Sequence, residues 1–400
     1  METTTATNAE KRMLLRNNIS SLLAGFVLAG MSLVGFSCVS TYEADIEDEP
    51  ELISIEGSLI KGESEQIVRV SKTASLSYAQ FIPVRGCDVS LLDEFDNAWH
   101  YDDLTGGVYR TNIPEEELVY GRSYKLRVIT SEGEVYESDY EMLNPGIEVD
   151  SVYYAIEDKV DEMTGDPYSG LQFFLDVNAG EDESRYFRWR LDETYEYTSF
   201  APISYYYLDE SHIPVIPQDE YAVYRCWRGE EISGLFQSST IDLTQNEKKR
   251  IPLNYVSDQS ERLRIKYSLQ VKQYTLSENA YNYFEQNRLA TEESEGLYTR
   301  QPRQPITNIQ NVDNEEERVL GYFWVSTQTT ERIFVPELEE LDVSAEECAY
   351  WEYSALEDGE GPFPIYIYDD KNDGKQYVSS RDCFDCTRRG GSTVKPDYWE

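Results

Sequence analysis

Residues 262–274 read RLRIKYSLQVKQY and carry the clearest β pattern in the chain. Apolar residues occupy every second position of this stretch, at Leu263, Ile265, Tyr267, Leu269 and Val271. This period of two places them on one face of an extended strand. Tyrosine is exceptionally frequent, with 32 in 400 residues, and Tyr, Val, Ile and Thr favour pleated, half-buried surfaces. The sequence therefore predicts a mainly β protein.

The N-terminal part of this β structure has the pattern of a small sandwich. Period-two strands recur between residues 52 and 145, and glycine turns such as Gly106-Gly107 and Gly121 separate them. The spacing is typical of an immunoglobulin-like β-sandwich. Asn144-Pro145-Gly146 is a strong turn signal and marks its predicted end. We expect residues 52–145 to form this domain.

A larger β-rich domain with a Tyr-rich insertion is predicted for residues 146–343. Its one short helix is expected to be capped by Ser277 and to run to about Leu289. Two apolar stretches, residues 319–325 and 331–335, are expected to form strands that pair with each other. Residues 344–400 are predicted to be a cysteine-containing segment packed on this second domain.

The N-terminus has the order of an export signal. Basic Lys11, Arg12 and Arg16 precede an apolar run that ends at Phe36, and Cys38 follows at once. Residues 1–37 are therefore predicted to be a lipoprotein signal peptide, with Cys38 as the lipidation site. A retained transmembrane helix is the alternative, because about 18 apolar residues can span a bilayer. The absence of a basic stop-transfer cluster after Cys38 favours lipidation.

Acidic residues dominate the rest of the chain. Residues 38–51 contain several acidic and no basic side chains, which predicts a solvated tether. The formal net charge is −41, whereas 40% of the residues are hydrophobic, so a folded body is expected. Nucleic-acid binding requires Lys and Arg to displace counterions from phosphates, and this charge excludes it.

If the protein is exported, its cysteines are in an oxidising compartment. Cys226, Cys348, Cys383 and Cys386 can form two disulfides, and four cysteines allow three pairings. A redox Cys-x-x-Cys pair and a zinc site are the alternatives. Acidic neighbours disfavour the thiolate that redox chemistry needs, and an oxidising compartment favours disulfides over zinc. Cys87 is the odd thiol and is predicted to be a small buried apolar residue.

Catalytic and metal-binding motifs are missing from the sequence. His100 and His212 are the only histidines, and both are expected to be surface or packing residues. No nucleophile elbow, phosphate loop or dinucleotide fingerprint is present. Residues 369–374 superficially resemble a calcium loop, but Lys371 and Ser380 stand where ligands are needed, so a polar hairpin turn is expected. We predict no enzyme activity, no metal and no cofactor.

Aromatic residues concentrate in the Tyr-rich insertion. The candidates for ligand or partner binding are Tyr205, Tyr206, Tyr207, Tyr224 and Trp227. Exposed aromatic side chains are typical interface anchors and can also stack on sugars. Packing within the protein is the alternative role for the same residues.

Short motifs distributed along the chain resemble a known family. They are Ile55-Glu56-Gly57, Pro83-Val84-Arg85-Gly86-Cys87-Asp88-Val89, Gly107-Val108-Tyr109, Tyr124-Lys125-Leu126, Cys226-Trp227, Asn308-Ile309, Val319-Leu320-Gly321-Tyr322-Phe323, Cys383-Phe384-Asp385-Cys386 and Lys395-Pro396-Asp397-Tyr398-Trp399. Their order resembles the lipoproteins grouped as domain of unknown function 4249. The resemblance implies an outer-membrane lipoprotein, often encoded beside a TonB-dependent transporter of the starch-utilisation type. It implies no reaction.

These observations together predict a non-catalytic lipoprotein that is lipid-anchored in the outer membrane and faces the cell surface. It would be an accessory or ligand-presenting component of a TonB-dependent nutrient uptake system, with the TonB-dependent barrel as its partner. An independent surface lipoprotein that binds a glycan or a peptide is the alternative, and an envelope hydrolase is the third hypothesis.

Overall fold

The computed structural model describes the chain from residue 51 to its C-terminus, with four internal gaps. The described residues are 51–73, 82–294, 306–344, 348–353 and 363–400. The predicted signal peptide, Cys38 and all of the acidic tether except Glu51 lie outside them. Glu51–Glu400 forms one compact unit. In the part of the chain that the structure describes, no helix is long and apolar enough to cross a membrane.

Strands make up most of the ordered structure, as the sequence predicts. The first strands are β1 (Ile53–Lys61), β2 (Gln66–Lys72), β3 (Ile82–Pro83), β4 (Asp88–Asp93), β5 (Ala98–His100), β6 (Asp102–Asp103), β7 (Val108–Thr111), β8 (Ser123–Ile129), β9 (Val135–Ser138), β10 (Glu141–Met142), β11 (Ser151–Val160) and β12 (Pro167–Asn178). The later strands are β13 (Tyr186–Thr198), β14 (Tyr205–Tyr207), β15 (Pro214–Val215), β16 (Arg225–Ser239), β17 (Glu247–Ser257), β18 (Lys266–Leu276), β19 (Ile309–Asn311), β20 (Phe323–Pro336), β21 (Tyr350–Glu352), β22 (Ile365–Asp370) and β23 (Lys375–Ser379). Helix α1 spans Glu278–Ser294, and a single turn, α2, spans Arg381–Phe384.

A nine-stranded sheet forms the backbone of the fold. Its order is β16-β13-β18-β20-β1-β2-β7-β6, with β3 paired to β2 outside this path. Strands β1 and β20 run parallel, whereas the other neighbours in this sheet are antiparallel. Three smaller sheets have the orders β19-β9-β8-β4-β5 with β10 on β8, β11-β12-β17, and β15-β14-β22-β23-β21.

Two hydrophobic cores lie against different parts of the nine-stranded sheet. The first is filled by strands of that sheet and of the six-stranded sheet, including Ile55, Val68, Val89, Leu126, Phe323 and Val325. The second lies between the nine-stranded and three-stranded sheets and includes Phe173, Leu175, Trp189, Tyr267, Leu269 and Val335. Alternation along each strand places its apolar side chains on a face of the sheet that a core covers.

Strand β20 corrects one prediction. Residues 319–325 and 331–335 do not form two paired strands, because Phe323–Pro336 is one continuous strand between β18 and β1. The intervening residues 326–330 read STQTT and contain no Gly or Pro to turn the chain, and Thr favours extended backbone. Residues before Phe323 lie outside the strand because Gly321 has a φ of +93°.

The predicted helix is present and begins as expected. The backbone N–H of Ala280 donates to the hydroxyl of Ser277 at 3.2 Å, which satisfies one of the free N–H groups of the first turn. The helix continues to Ser294, beyond the expected end. Buried Ala280 and Phe284 pack it against Tyr274 and Trp324 of the nine-stranded sheet.

Candidate functional site

The Tyr-rich insertion and the C-terminal segment build one five-stranded sheet. Tyr205–Tyr207 forms β14, which lies between β15 and β22. Tyr206 is opposite Tyr366, and Tyr207 is opposite Ile365. Only the tertiary fold brings these two stretches together, because about 160 residues separate the paired positions. We call this sheet, β15-β14-β22-β23-β21, the aromatic sheet.

The three consecutive tyrosines of β14 are half-buried and contact other rings. Tyr206 packs against Tyr366 with ring centroids 6.0 Å apart, next to a small core around Phe384. Tyr205 and Tyr207 contact each other at 5.6 Å, and Tyr207 also lies 5.2 Å from His212. Burial and the hydrogen bond with Tyr207 raise the pKa of Tyr205. The raised pKa keeps the Tyr205 hydroxyl neutral, and all three β14 side chains are packing groups that remain partly accessible.

The other two candidate residues lie in different surroundings. Tyr224 is half-buried and its ring meets that of Tyr221 edge-on at 5.5 Å. Trp227 belongs to β16 of the nine-stranded sheet, where its backbone exchanges two hydrogen bonds of 2.9 Å with Ser392. Its indole N–H is buried and finds no hydrogen-bond partner among the described residues. Trp227 is thus placed outside the aromatic sheet that holds the tyrosines of β14.

Two disulfides attach the C-terminal segment. Cys226 of β16 pairs with Cys386 across 160 positions of sequence, and both are buried in the second core. Cys348, just before β21, pairs with Cys383 of α2. The four cysteines are therefore engaged with each other, which removes the thiols that a zinc or dithiol redox site would use. This confirms the prediction of two disulfides and settles which of the three pairings is present.

Exposed apolar side chains surround the aromatic sheet. Ile213 and Ile216 flank β15 and are 68% and 78% exposed, and Trp351 of β21 is 54% exposed. Phe200 stacks on Tyr350 with ring centroids 4.9 Å apart, and both are exposed. Sequence reasoning missed these five residues. Their hydrophobicity was visible, but only the tertiary structure places them on the surface.

Among the described residues, Cys87, the histidines and the acidic turn near residue 370 do not gather into a second site. Cys87 is buried as predicted, burial raises its thiol pKa, and its backbone N–H donates to the hydroxyl of Tyr109 at 3.0 Å. His100 is exposed and lies 3.4 Å from Asp88. Residues 371–374 form the turn of the β22–β23 hairpin and Asp369 and Asp370 end β22, so the polar hairpin expected at residues 369–374 is present. Within the described residues, no group of three His, Cys, Asp or Glu side chains could hold a metal ion.

The architecture defines a mainly β protein with a disulfide-tied aromatic sheet. The chain belongs to the family described as Domain of unknown function (DUF4249), whose model matches residues 39–332. None of the curated proteins matches the chain. The matched range ends inside β20, so three of the four paired cysteines and the terminal Trp399 lie beyond it.

Proposed function

We propose that the protein is a non-catalytic, lipid-anchored outer-membrane lipoprotein that docks on a TonB-dependent barrel and serves as an accessory or ligand-presenting component of nutrient uptake. The single observation that carries this proposal is the exposed apolar rim of the aromatic sheet. Apolar and aromatic anchors such as Ile216 and Trp351 are the side chains that dominate binding energy at protein interfaces.

Rigidity supports the same role. The Cys348–Cys383 disulfide ties β21 to α2, and backbone hydrogen bonds join the five strands. A surface that is already ordered loses less conformational entropy when it binds a partner. The predicted lipid on Cys38 would hold the body at the membrane, where a barrel is the available partner, and several acyl chains give stable anchoring.

The N-terminal region is proposed to be an immunoglobulin-like sandwich within this lipoprotein. Support comes from the first core, which is shared by strands of two facing sheets between residues 52 and 145 and by residues 309–325. Such sandwiches present loops at their ends and suit a spacer between the lipid and the aromatic sheet.

The test is to purify the full chain from its native outer membrane through a C-terminal tag, with Cys38 intact, and to identify bound proteins by mass spectrometry. A stoichiometric TonB-dependent barrel is the expected result. Ile213→Asp combined with Ile216→Asp should reduce barrel recovery at least about tenfold, because charges would replace apolar anchors.

Met163→Asp is the matched control, because Met163 is 94% exposed but lies on the β11–β12 hairpin, away from the aromatic sheet. It should leave barrel recovery unchanged. Recovery of the acylated protein alone would overturn the proposal and favour an independent glycan- or peptide-binding lipoprotein, to be followed with glycan and peptide arrays. Loss of an envelope hydrolase activity in a deletion strain would instead favour the third hypothesis.

A further inference from the structure

A pocket of about 250 Å³ lies between helix α1 and one face of the nine-stranded sheet. Four rings line it, contributed by Tyr283 and Phe284 of α1, by Trp324 of β20, and by Tyr322 just before that strand. Tyr283 stacks on Tyr322 with centroids 5.1 Å apart, and Phe284 meets Trp324 edge-on at 5.6 Å. The pocket therefore has a preformed aromatic wall, the usual character of small-molecule sites.

Arg188 of β13 projects its guanidinium into this pocket. Its Cζ lies 3.6 Å from the ring centroid of Phe284 and 5.6 Å from that of Trp324. Among the described residues, Arg188 donates no hydrogen bond and forms no ion pair, although the chain has 76 acidic and 35 basic side chains. Burial, assisted by Arg190, lowers the pKa of Arg188 to about 10, so it remains a cation at neutral pH.

The neighbouring charges of the pocket are balanced. Arg190 lies 3.5 Å from the carboxylate of Glu63, which also accepts a hydrogen bond of 2.9 Å from Tyr274. Arg69 of β2 is directly opposite Glu56 of β1 in the antiparallel ladder. Exposed Glu231 attracts Arg188 through space without forming an ion pair with it. Glu63 and Glu56 thus offset the charges of Arg190 and Arg69, and the positive charge of Arg188 is left over, with no anion in contact with it among the described residues.

We propose that this pocket binds a monoanionic carboxylate whose attached ring or apolar body packs against the aromatic wall. A guanidinium presents paired N–H donors that match the two oxygens of a carboxylate. The single uncompensated charge suits a monoanion better than a phosphate dianion, and the volume suits a ligand of amino-acid or monosaccharide size. The site stands independently of the proposed barrel partner.

Two kinds of ligand carry a carboxylate beside a ring. A peptide ending in an aromatic residue carries a carboxylate beside a ring, and a sugar acid carries one on a pyranose whose apolar face can stack on aromatic side chains. The probes are therefore N-acetyl-phenylalanine and glucuronic acid, each compared with its neutral amide, together with inorganic phosphate. The full lipidated chain in detergent is titrated with each probe by calorimetry, and its thermal unfolding is recorded with and without probe.

At least one of the two acids is expected to bind and to raise the unfolding temperature of the wild-type protein. Its amide should bind about tenfold to a hundredfold more weakly, because hydrogen bonds to a charged group are lost. Inorganic phosphate should bind more weakly than that acid. Which acid binds identifies the source of the natural ligand.

Arg188→Gln should weaken binding by about tenfold or more. Arg332→Gln is the matched control, because Arg332 lies on the same sheet with its Cζ 3.8 Å from the ring centroid of Tyr398 but outside the pocket. The affinity of Arg332→Gln for the acid should stay within about twofold of the wild-type affinity, because position 332 lies away from the ligand. If Arg188→Gln does not fold, Arg188→Lys keeps the charge, loses the paired donors and should still weaken binding.

A structural role for Arg188, which clamps α1 to the sheet, predicts different results. Neither acid would then raise the wild-type unfolding temperature, and Arg188→Gln would only lower it. That outcome would overturn the proposal, as would equal binding of an acid and its amide, tighter binding of phosphate, or equal losses in Arg188→Gln and Arg332→Gln.

Discussion

Asp93 is a single buried carboxylate that organises the turn between β4 and β5. Its Oδ1 accepts hydrogen bonds of 2.9 Å from the backbone N–H groups of Phe95 and Asn97. Its Oδ2 accepts from the side chain of Asn97 at 2.7 Å and from Arg122 at 2.8 Å. Burial alone would raise the pKa of Asp93, but these bonds and Arg122 lower it below the ordinary value.

Asp93→Asn is predicted to lower the free energy of unfolding by about 2 kcal/mol at neutral pH, because a buried acceptor of charged hydrogen bonds is lost. The contribution of Asp93 is present above the ordinary carboxyl pKa and is lost as pH falls through its lowered folded pKa, so the two proteins converge in acid. Urea unfolding of both proteins at a series of pH values, from neutral pH down into acid, measures this difference in stability. Asp88→Asn, at an exposed position on the same strand, should change stability little. Equal losses in both variants would contradict this account.

Cys87 offers a second test at the residue scale. Its thiol is buried and its pKa is raised by that burial, so little reactive thiolate is present at neutral pH. Iodoacetamide is predicted to alkylate Cys87 at least about a hundredfold more slowly in the native protein than in guanidinium. Mass spectrometry of the tryptic peptide measures both rates, with Cys87→Ser as the blank. Rapid native alkylation would show that the residue is accessible.

At the element scale, the two disulfides attach different structures. Cys226–Cys386 joins the long strand β16 to the turn Cys386–Arg389, within the second core. The hydroxyl of Tyr197 donates to the backbone carbonyl of Cys386 at 2.7 Å and adds to this attachment. Cys348–Cys383 closes a shorter loop, with a sequence separation of 35, and this loop contains β21, β22 and β23 of the aromatic sheet. The two disulfides should therefore stabilise the protein by different amounts and protect different strands.

Replacing both members of a pair by Ser is predicted to cost about 5 kcal/mol for Cys226–Cys386 and about 4 kcal/mol for Cys348–Cys383, from the entropy of the loops they close. Guanidinium unfolding measures both costs. Hydrogen exchange should show faster exchange of β21–β23 after loss of Cys348–Cys383, with β13 and β18 unchanged. A smaller cost for the longer loop would mean that loop entropy does not set the contribution of these disulfides.

At the scale of the whole molecule, β20 connects regions that are far apart in sequence. Phe323 and Val325 lie in the first core, whereas Val335 of the same strand lies in the second. The strand can reach β1 because Gly321 passes close to the backbone of Ile55, and Ile55 donates a hydrogen bond of 2.9 Å to Leu320. A Cβ at position 321 would lie 2.0 Å from the carbonyl oxygen of Ile55. This close approach explains why the Gly-Tyr-Phe motif begins with glycine.

Gly321→Ala is predicted to lower the free energy of unfolding by more than about 3 kcal/mol, because backbone must move apart at the junction of the two cores. Gly133→Ala is the matched control. Gly133 has a φ of +92°, nearly equal to the +93° of Gly321, but nothing lies within 4 Å of its added Cβ. Its cost should be only about 1 to 2 kcal/mol, the conformational penalty alone. Thermal unfolding measures both, and equal costs would mean that the close approach is relieved without strain.

Local patterns predicted the elements that depend on neighbouring residues. The predicted turn at Gly106-Gly107 joins the antiparallel strands β6 and β7, and Ser277 caps α1 as expected. These features follow from backbone conformation and alternation over a few residues. The strand predicted from residue 262 begins instead at Lys266, because Glu261–Leu263 forms a 3₁₀ turn.

The sequence by itself determined a mainly β chain, a strongly acidic surface, the helix start, a buried Cys87 and the four cysteines available for disulfides. Only the tertiary structure decided that Cys226 pairs with Cys386, that β14 lies beside β22, and that β20 is one strand shared by two cores. The physical reason is the distance along the chain over which each kind of interaction acts. Alternation and capping act within a few residues, whereas strand pairing, disulfide pairing and the placement of Arg188 beside Phe284 depend on contacts between segments far apart in the chain.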